Sequence, residues 1–154
     1  MFKSYGKGWM MTPYTKFYKP VHFTLDELVD PVTLTALGEA AWGLFDSHLL
    51  STLDRLRERY GRTMTVNNWK LGGKYKLRGF RPSDCPEGAP LSAHRRGQAV
   101  DFDVQGMTAE EVRDDIMANP EAMDMMFITR IEAGVSWVHI ETTNYPNRIV
   151  VFNA

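Results

Sequence analysis

Three side chains able to share a metal ion stand at His94, Asp101 and His139. The first two fall within Ser92-Ala-His94-Arg-Arg-Gly97-Gln-Ala-Val-Asp101-Phe-Asp103-Val104. From Ala99 onward this stretch alternates as a strand does, with Val100, Phe102 and Val104 on one face and Asp101 and Asp103 on the other. Gly97 lets the chain turn sharply between His94 and the strand, so imidazole and carboxylate can meet inside the bend. A second stretch, Trp137-Val-His139-Ile-Glu141, alternates in the same way. Val138 and Ile140 suit a core; Trp137, His139 and Glu141 share the opposite face. Two imidazoles and one carboxylate leave zinc's fourth tetrahedral position open for water, which is the arrangement of a catalytic site. A zinc that only stabilises the fold usually has four protein ligands, often cysteines.

Ser92-x-His94-x-x-Gly97-x-Ala99-x-Asp101, followed far downstream by Trp137-x-His139, resembles the zinc D-Ala-D-Ala metallopeptidases. That superfamily includes D,D-carboxypeptidases, D,D-dipeptidases, phage L-alanyl-D-glutamate endolysins and the hedgehog signalling domain. The resemblance covers roughly residues 20 to 152. It implies one Zn2+ held by His94, Asp101 and His139, and hydrolysis of amide bonds in peptidoglycan stem peptides by a phage-associated lytic or remodelling enzyme. Several members carry a glutamate three residues before the last histidine, as the base that activates water. Ser136 occupies that position here. Glu132, seven residues before His139, is close to the hedgehog-type placement and is the favoured base; Glu141 is the alternative. Arg78-Gly79-Phe80-Arg81 falls where the family often has Ser-Gly-Tyr-Arg, which makes Arg81 the substrate-clamping arginine, with Arg78 the other candidate. Ser92, Trp137 and Arg78 are assigned to substrate binding. Asp103 is assigned to orienting a ligand imidazole from behind, although a plain surface aspartate fits as well.

Composition bounds the remaining possibilities. At 154 residues the chain suits one domain with a core of its own. A net charge of −1 gives no reason to expect nucleic acid or a membrane surface as partner. The single cysteine, Cys85, leaves no internal disulfide. Its pairing with His94 as a nucleophile lacks an orienting third group, so a plain loop cysteine is favoured. No secretory signal or membrane span is expected. A protein awaiting release in the host cytoplasm, or carried in a virion, follows from the resemblance.

The elements that must position these residues can be read from capping and periodicity. Residues 1–20 read as an irregular aromatic arm, a candidate contact with a virion partner, followed by a single domain over 21–154. Thr24 caps a short helix. Asp30-Pro31 starts a long helix whose apolar positions run from Leu34 to Leu56 and which stops at Gly61. His48 within it reads as a packing or surface residue. Met64 to Trp69 reads as a strand. Residues 70–91 form a loop long enough to imply a task, and Lys70, Lys74, Lys76, Arg78 and Arg81 make it a candidate anion site. Thr108-Ala-Glu-Glu111 is a capping box. Strands are predicted over 127–132, 137–142 and 148–152. The fold class is α+β: a small, mostly antiparallel sheet with the long helix and shorter helices on one face and the metal on the other. The hedgehog domain uses this fold for binding, so a virion structural or binding component that retains the peptidase fold is the alternative function.

Overall fold

The computed structural model describes residues 18–143 and 149–153. The aromatic arm falls at 1–20, so its first seventeen residues lie outside the described residues. Among the described residues, three α-helices and five strands make an α+β fold. The helices are α1 (Pro31–Leu37), α2 (Ser47–Tyr60) and α3 (Ala109–Ala118). The strands are β1 (Met64–Thr65), β2 (Ala99–Val104), β3 (Arg130–Ala133), β4 (Val138–Glu141) and β5 (Val150–Asn153). They form one mixed sheet in the order β1-β2-β4-β3-β5. Every pairing is antiparallel except β3 with β5, which run parallel.

The sheet buries one face against the helices. Val100, Phe102, Val138 and Ile140 enter a single apolar cluster with Leu49, Leu53 and Leu56 of α2 and Val112 and Ile116 of α3. Phe102, Leu49, Leu53 and Ile140 are each 0% exposed, so the alternation in β2 and β4 is enforced by a sealed core. Their intervening residues, Asp101, His139 and Glu141, are thereby directed to the other face.

The long helix expected from Asp30 to Gly61 is instead three pieces. Asp30 does cap the first, accepting from the amides of Val32 and Thr33 at 2.9 and 3.1 Å. That helix stops at Leu37, because Gly38 follows with φ +51° and ψ −133°, outside helical geometry. A 3-10 turn over Gly38–Leu44 follows, Phe45 is extended, and Asp46 starts α2 by accepting from the His48 amide at 3.0 Å. Apolar spacing at three and four residues survives these breaks, which is why periodicity reads straight through them. The strand predicted over 64–69 shrinks to Met64–Thr65. Asn67 and Asn68 take up backbone groups with their side chains, bonding the amides of Arg78 and Tyr75 at 3.0 and 2.9 Å, and so compete with the ladder. The capping box at Thr108 and Glu111 forms as read and opens α3.

Gly97 seats the His94 turn on the break in the helical segment. It adopts φ +64°, and a Cβ there would lie 1.9 Å from the Leu44 carbonyl oxygen and 2.7 Å from the Phe45 Cα. Its carbonyl accepts from the Asp46 amide at 3.0 Å. Asp46 also accepts from the Thr142 hydroxyl at 2.9 Å, beyond the end of β4. One aspartate therefore ties α2 to the two segments that flank the histidine ligands. Gly97→Ala is expected to cost on the order of 3 kcal/mol, from overlap with backbone and an unfavourable φ. A lowered urea midpoint with an unchanged slope is the measurement that checks it.

Candidate metal centre

Asp101 of β2 stands directly across from His139 of β4 in the antiparallel register. Side chains at such a position leave the sheet on the same face and within reach of each other. His139 Nδ1 lies 2.6 Å from Asp101 Oδ1. The 3-10 turn Ala93–Arg96 brings His94 to the same oxygen, its Nε2 at 3.4 Å. One donor atom from each of the three lies within 4.8 Å of the others, and all three residues are buried.

The donor set fits a divalent metal ion. Donors around a tetrahedral zinc stand about 3.3 Å apart, given bonds of about 2.0–2.1 Å. The His94–Asp101 separation already has that value, and His139 and Asp101 need to part by about 0.7 Å from their 2.6 Å hydrogen bond. The Nε2 of His94, the Nδ1 of His139 and one aspartate oxygen would hold the ion.

Each ligand is gripped from behind. The Nδ1 of His94 is 2.8 Å from the Gly79 carbonyl oxygen, to which it donates. Gly79 sits so close to Leu28 that a Cβ would fall 2.0 Å from the Leu28 carbonyl oxygen. The second oxygen of Asp101 accepts from Arg81 at 3.0 Å, while Arg81 Nε donates to the Leu77 carbonyl at 2.8 Å. The Nε2 of His139 lies 3.2 Å from Glu141 Oε1. Arg113 of α3 donates to the carbonyls of Trp137 and Val135 at 3.0 and 3.1 Å, pinning the turn that leads into His139.

The cluster lines a cleft of about 380 Å3 that also takes in Arg81, Ser92, Arg130, Glu132, Trp137, Glu141 and Phe152. Glu132 shares a face of β3 with Arg130, and Arg130 pairs across with Glu141. On its other side Glu132 pairs in register with Phe152 of β5, which also lines the cleft. A second cleft of about 460 Å3 holds Lys74, Lys76, Arg78 and Ser136, and shares Arg81, Asp101 and Trp137 with the first. The basic loop thus borders the candidate metal centre. Arg78 donates to Asp103 at 2.5 Å and lies over the Tyr75 ring at 3.7 Å. Asp103 is accordingly turned toward Arg78, and the orienting contacts to the imidazoles come from Gly79 and Glu141 instead. Cys85 stands apart from the cluster, its Sγ accepting from the Glu87 amide at 3.4 Å. His48 is exposed and stacks on Phe127 with ring centroids 4.1 Å apart, in line with the surface or packing role read for it.

The buried charges bias each other. Burial alone raises the Asp101 carboxyl, but hydrogen bonds from His139 and His94 and their charge outweigh it and hold the group far below the usual carboxylate range. Burial pulls His139 down, yet its hydrogen bonds to Asp101 and Glu141 prevail and push it up to about 9. Burial also acts to raise Glu141, and the bond to His139, with Arg130 and Thr143 nearby, brings it below its ordinary value.

Sequence alone missed the role of Gly79, whose contribution is a backbone carbonyl; Arg130, placed across from Glu141 by the β3–β4 register; Phe152, brought in by β5 running parallel to β3; and Arg113. Only Arg113 carried a signal, as a basic residue placed on a helix whose other charges are acidic.

An ion arriving at Nδ1 must displace the proton that His139 holds below about pH 9. Apparent affinity for zinc is therefore expected to rise about tenfold per pH unit between roughly pH 7 and 9 and to level off above. Competition titrations against a chelator, corrected for the chelator's own protonation, check this; a flat profile contradicts it.

Compared with protein-family models, curated proteins and solved structures, the chain gives no match. Among the described residues no helix is long and apolar enough to cross a membrane.

Proposed function

We propose that this chain is a zinc-dependent metallopeptidase that hydrolyses amide bonds in peptidoglycan stem peptides, as a phage-associated cell-wall lytic enzyme. The observation that carries the reading is the buried His94, Asp101 and His139 cluster on the wall of an open cleft. The order and spacing of its motifs, which resemble those of the zinc D-Ala-D-Ala metallopeptidases, support the substrate class.

Bound zinc would supply Lewis acidity toward a scissile carbonyl and an attacking water. The chain's own residues then have separate tasks. Glu132 lines the cleft and belongs to no ligand. Its carboxylate takes the proton of the attacking water and delivers it to the leaving amine nitrogen. Arg81, on the wall common to the two clefts, turns positive charge toward the substrate while steadying Asp101. Lys74, Lys76 and Arg78 make the adjoining cleft attractive to a carboxylate on the peptide. Ser92 and Trp137 flank the substrate's path.

One observation favours a second reading. Ser136 stands where the related pattern has its glutamate, and it is exposed in the turn before β4. A virion structural or binding component that keeps the fold and the metal accounts for that exchange.

Purified protein supplied with zinc is expected to release new amino groups from peptidoglycan, and His139→Ala to abolish the release. Glu132→Gln should lower kcat by about 10²–10⁴-fold while zinc affinity holds. Equal background from wild type and His139→Ala would sink the enzyme reading. Recovery of the protein as a stoichiometric part of a particle, with an inert zinc, would favour the second.

A further inference from the structure

Glu141 lines the cleft beside the three ligands and is itself buried. It is 5% exposed. Its Oε1 faces His139 Nε2 at 3.2 Å. Arg130 lies 3.4 and 3.3 Å from its two oxygens, and the Thr143 hydroxyl donates to Oε2 at 3.3 Å. His139 and Glu141 are two apart on β4 and so share a face, while Arg130 is the cross-strand partner of Glu141. The carboxylate is thus held by His139 on its own strand, Arg130 on β3 and Thr143 just beyond β4.

We propose that Glu141 is a positioning residue, whose carboxylate accepts the Nε2–H of His139 and thereby presents the Nδ1 lone pair to the metal. Neutral imidazole carries one N–H and one lone pair, and the nitrogen that is held as a donor decides which is left to ligate. In this chain Nδ1 is the nitrogen turned toward Asp101 Oδ1, the oxygen that His94 Nε2 also faces. Without an ion, Asp101 at 2.6 Å and Glu141 at 3.2 Å each face a ring nitrogen that can carry a proton. An ion that displaces the Nδ1 proton leaves the other on Nε2, where Glu141 accepts it. The two ring nitrogens point in diverging directions, so a carboxylate bonded to Nε2 faces away from an ion at Nδ1. That position suits steadying the ligand and does not suit taking a proton from water beside the ion, which leaves Glu132 as the base.

This inference rests on the metal-binding part of the proposed function and is independent of the substrate. Its test is the zinc dissociation constant of wild type, Glu141→Ala and Glu141→Gln, measured by chelator competition, with melting of each metal-free protein as a check on folding. The Glu141→Ala protein is expected to bind zinc about 10–100-fold more weakly, and Glu141→Gln, whose amide oxygen still accepts from Nε2–H, to stay within about threefold of wild type. Long-range 1H–15N spectra of zinc-loaded wild type should show His139 metallated at Nδ1 and protonated at Nε2. Wild-type affinity in Glu141→Ala, equal weakening in both variants, or metallation at Nε2 would each overturn the proposal while leaving the metal site standing. Failure of the wild type to bind zinc would remove both together.

Discussion

The antiparallel register that sets Asp101 opposite His139 is the constraint on which the site depends. Strand side chains alternate with a period of two, so a slip of one residue would exchange the faces of β2 relative to β4. Asp101 would then enter the core, and Val100 or Phe102 would face the cleft. Burial of Val100, Phe102, Val138 and Ile140 makes that slip prohibitive. The apolar residues therefore hold two of the metal donors in place without touching them. Core packing and ligand geometry are here two faces of one arrangement.

The third donor arrives by a different route. His94 lies in a one-turn helix before β2, and its position follows from the close seat of Gly97 against Leu44 and Phe45. That seat exists because the helical segment is broken there. An unbroken helix would present side chains where the Gly97 turn now meets backbone. Asp46, at the restart, then binds the amide of His48, the carbonyl of Gly97 through its own amide, and the hydroxyl of Thr142. The interruption of the helix and the placement of the ligands are thus parts of one feature.

Burying an aspartate and two imidazoles together is costly unless every polar atom has a partner. The fold answers with a separate partner for each ligand: a backbone carbonyl for His94, a guanidinium for Asp101 and a carboxylate for His139. Arg81 comes from the long loop, which also supplies Gly79 and the basic residues of the adjoining cleft. A segment that reads as an extended surface loop is in this way part of the structure that orients the donors. It joins the candidate metal centre to a region of positive charge along one continuous wall.

Much of this was legible in the chain itself. The alternation in residues 99–104 and 137–141 marks both strands and both faces, the capping signals at Asp30 and Thr108 mark two helix starts, and His94, Asp101 and His139 stand out by type and spacing. These are local properties, set by periodicity and by hydrogen bonds within a few residues. Tertiary structure alone decided the break after Leu37, because seven-residue and fourteen-residue helices with an apolar stripe look like one longer helix. It decided the parallel pairing of β5 with β3, which sets Phe152 edge-on to His139 with ring centroids 5.7 Å apart. It also decided that Asp103 turns to Arg78 while Gly79 and Glu141 hold the imidazoles. The physical reason is the same in each case: a hydrogen bond between residues distant along the chain depends on where the backbone has already been carried, and no local pattern records that.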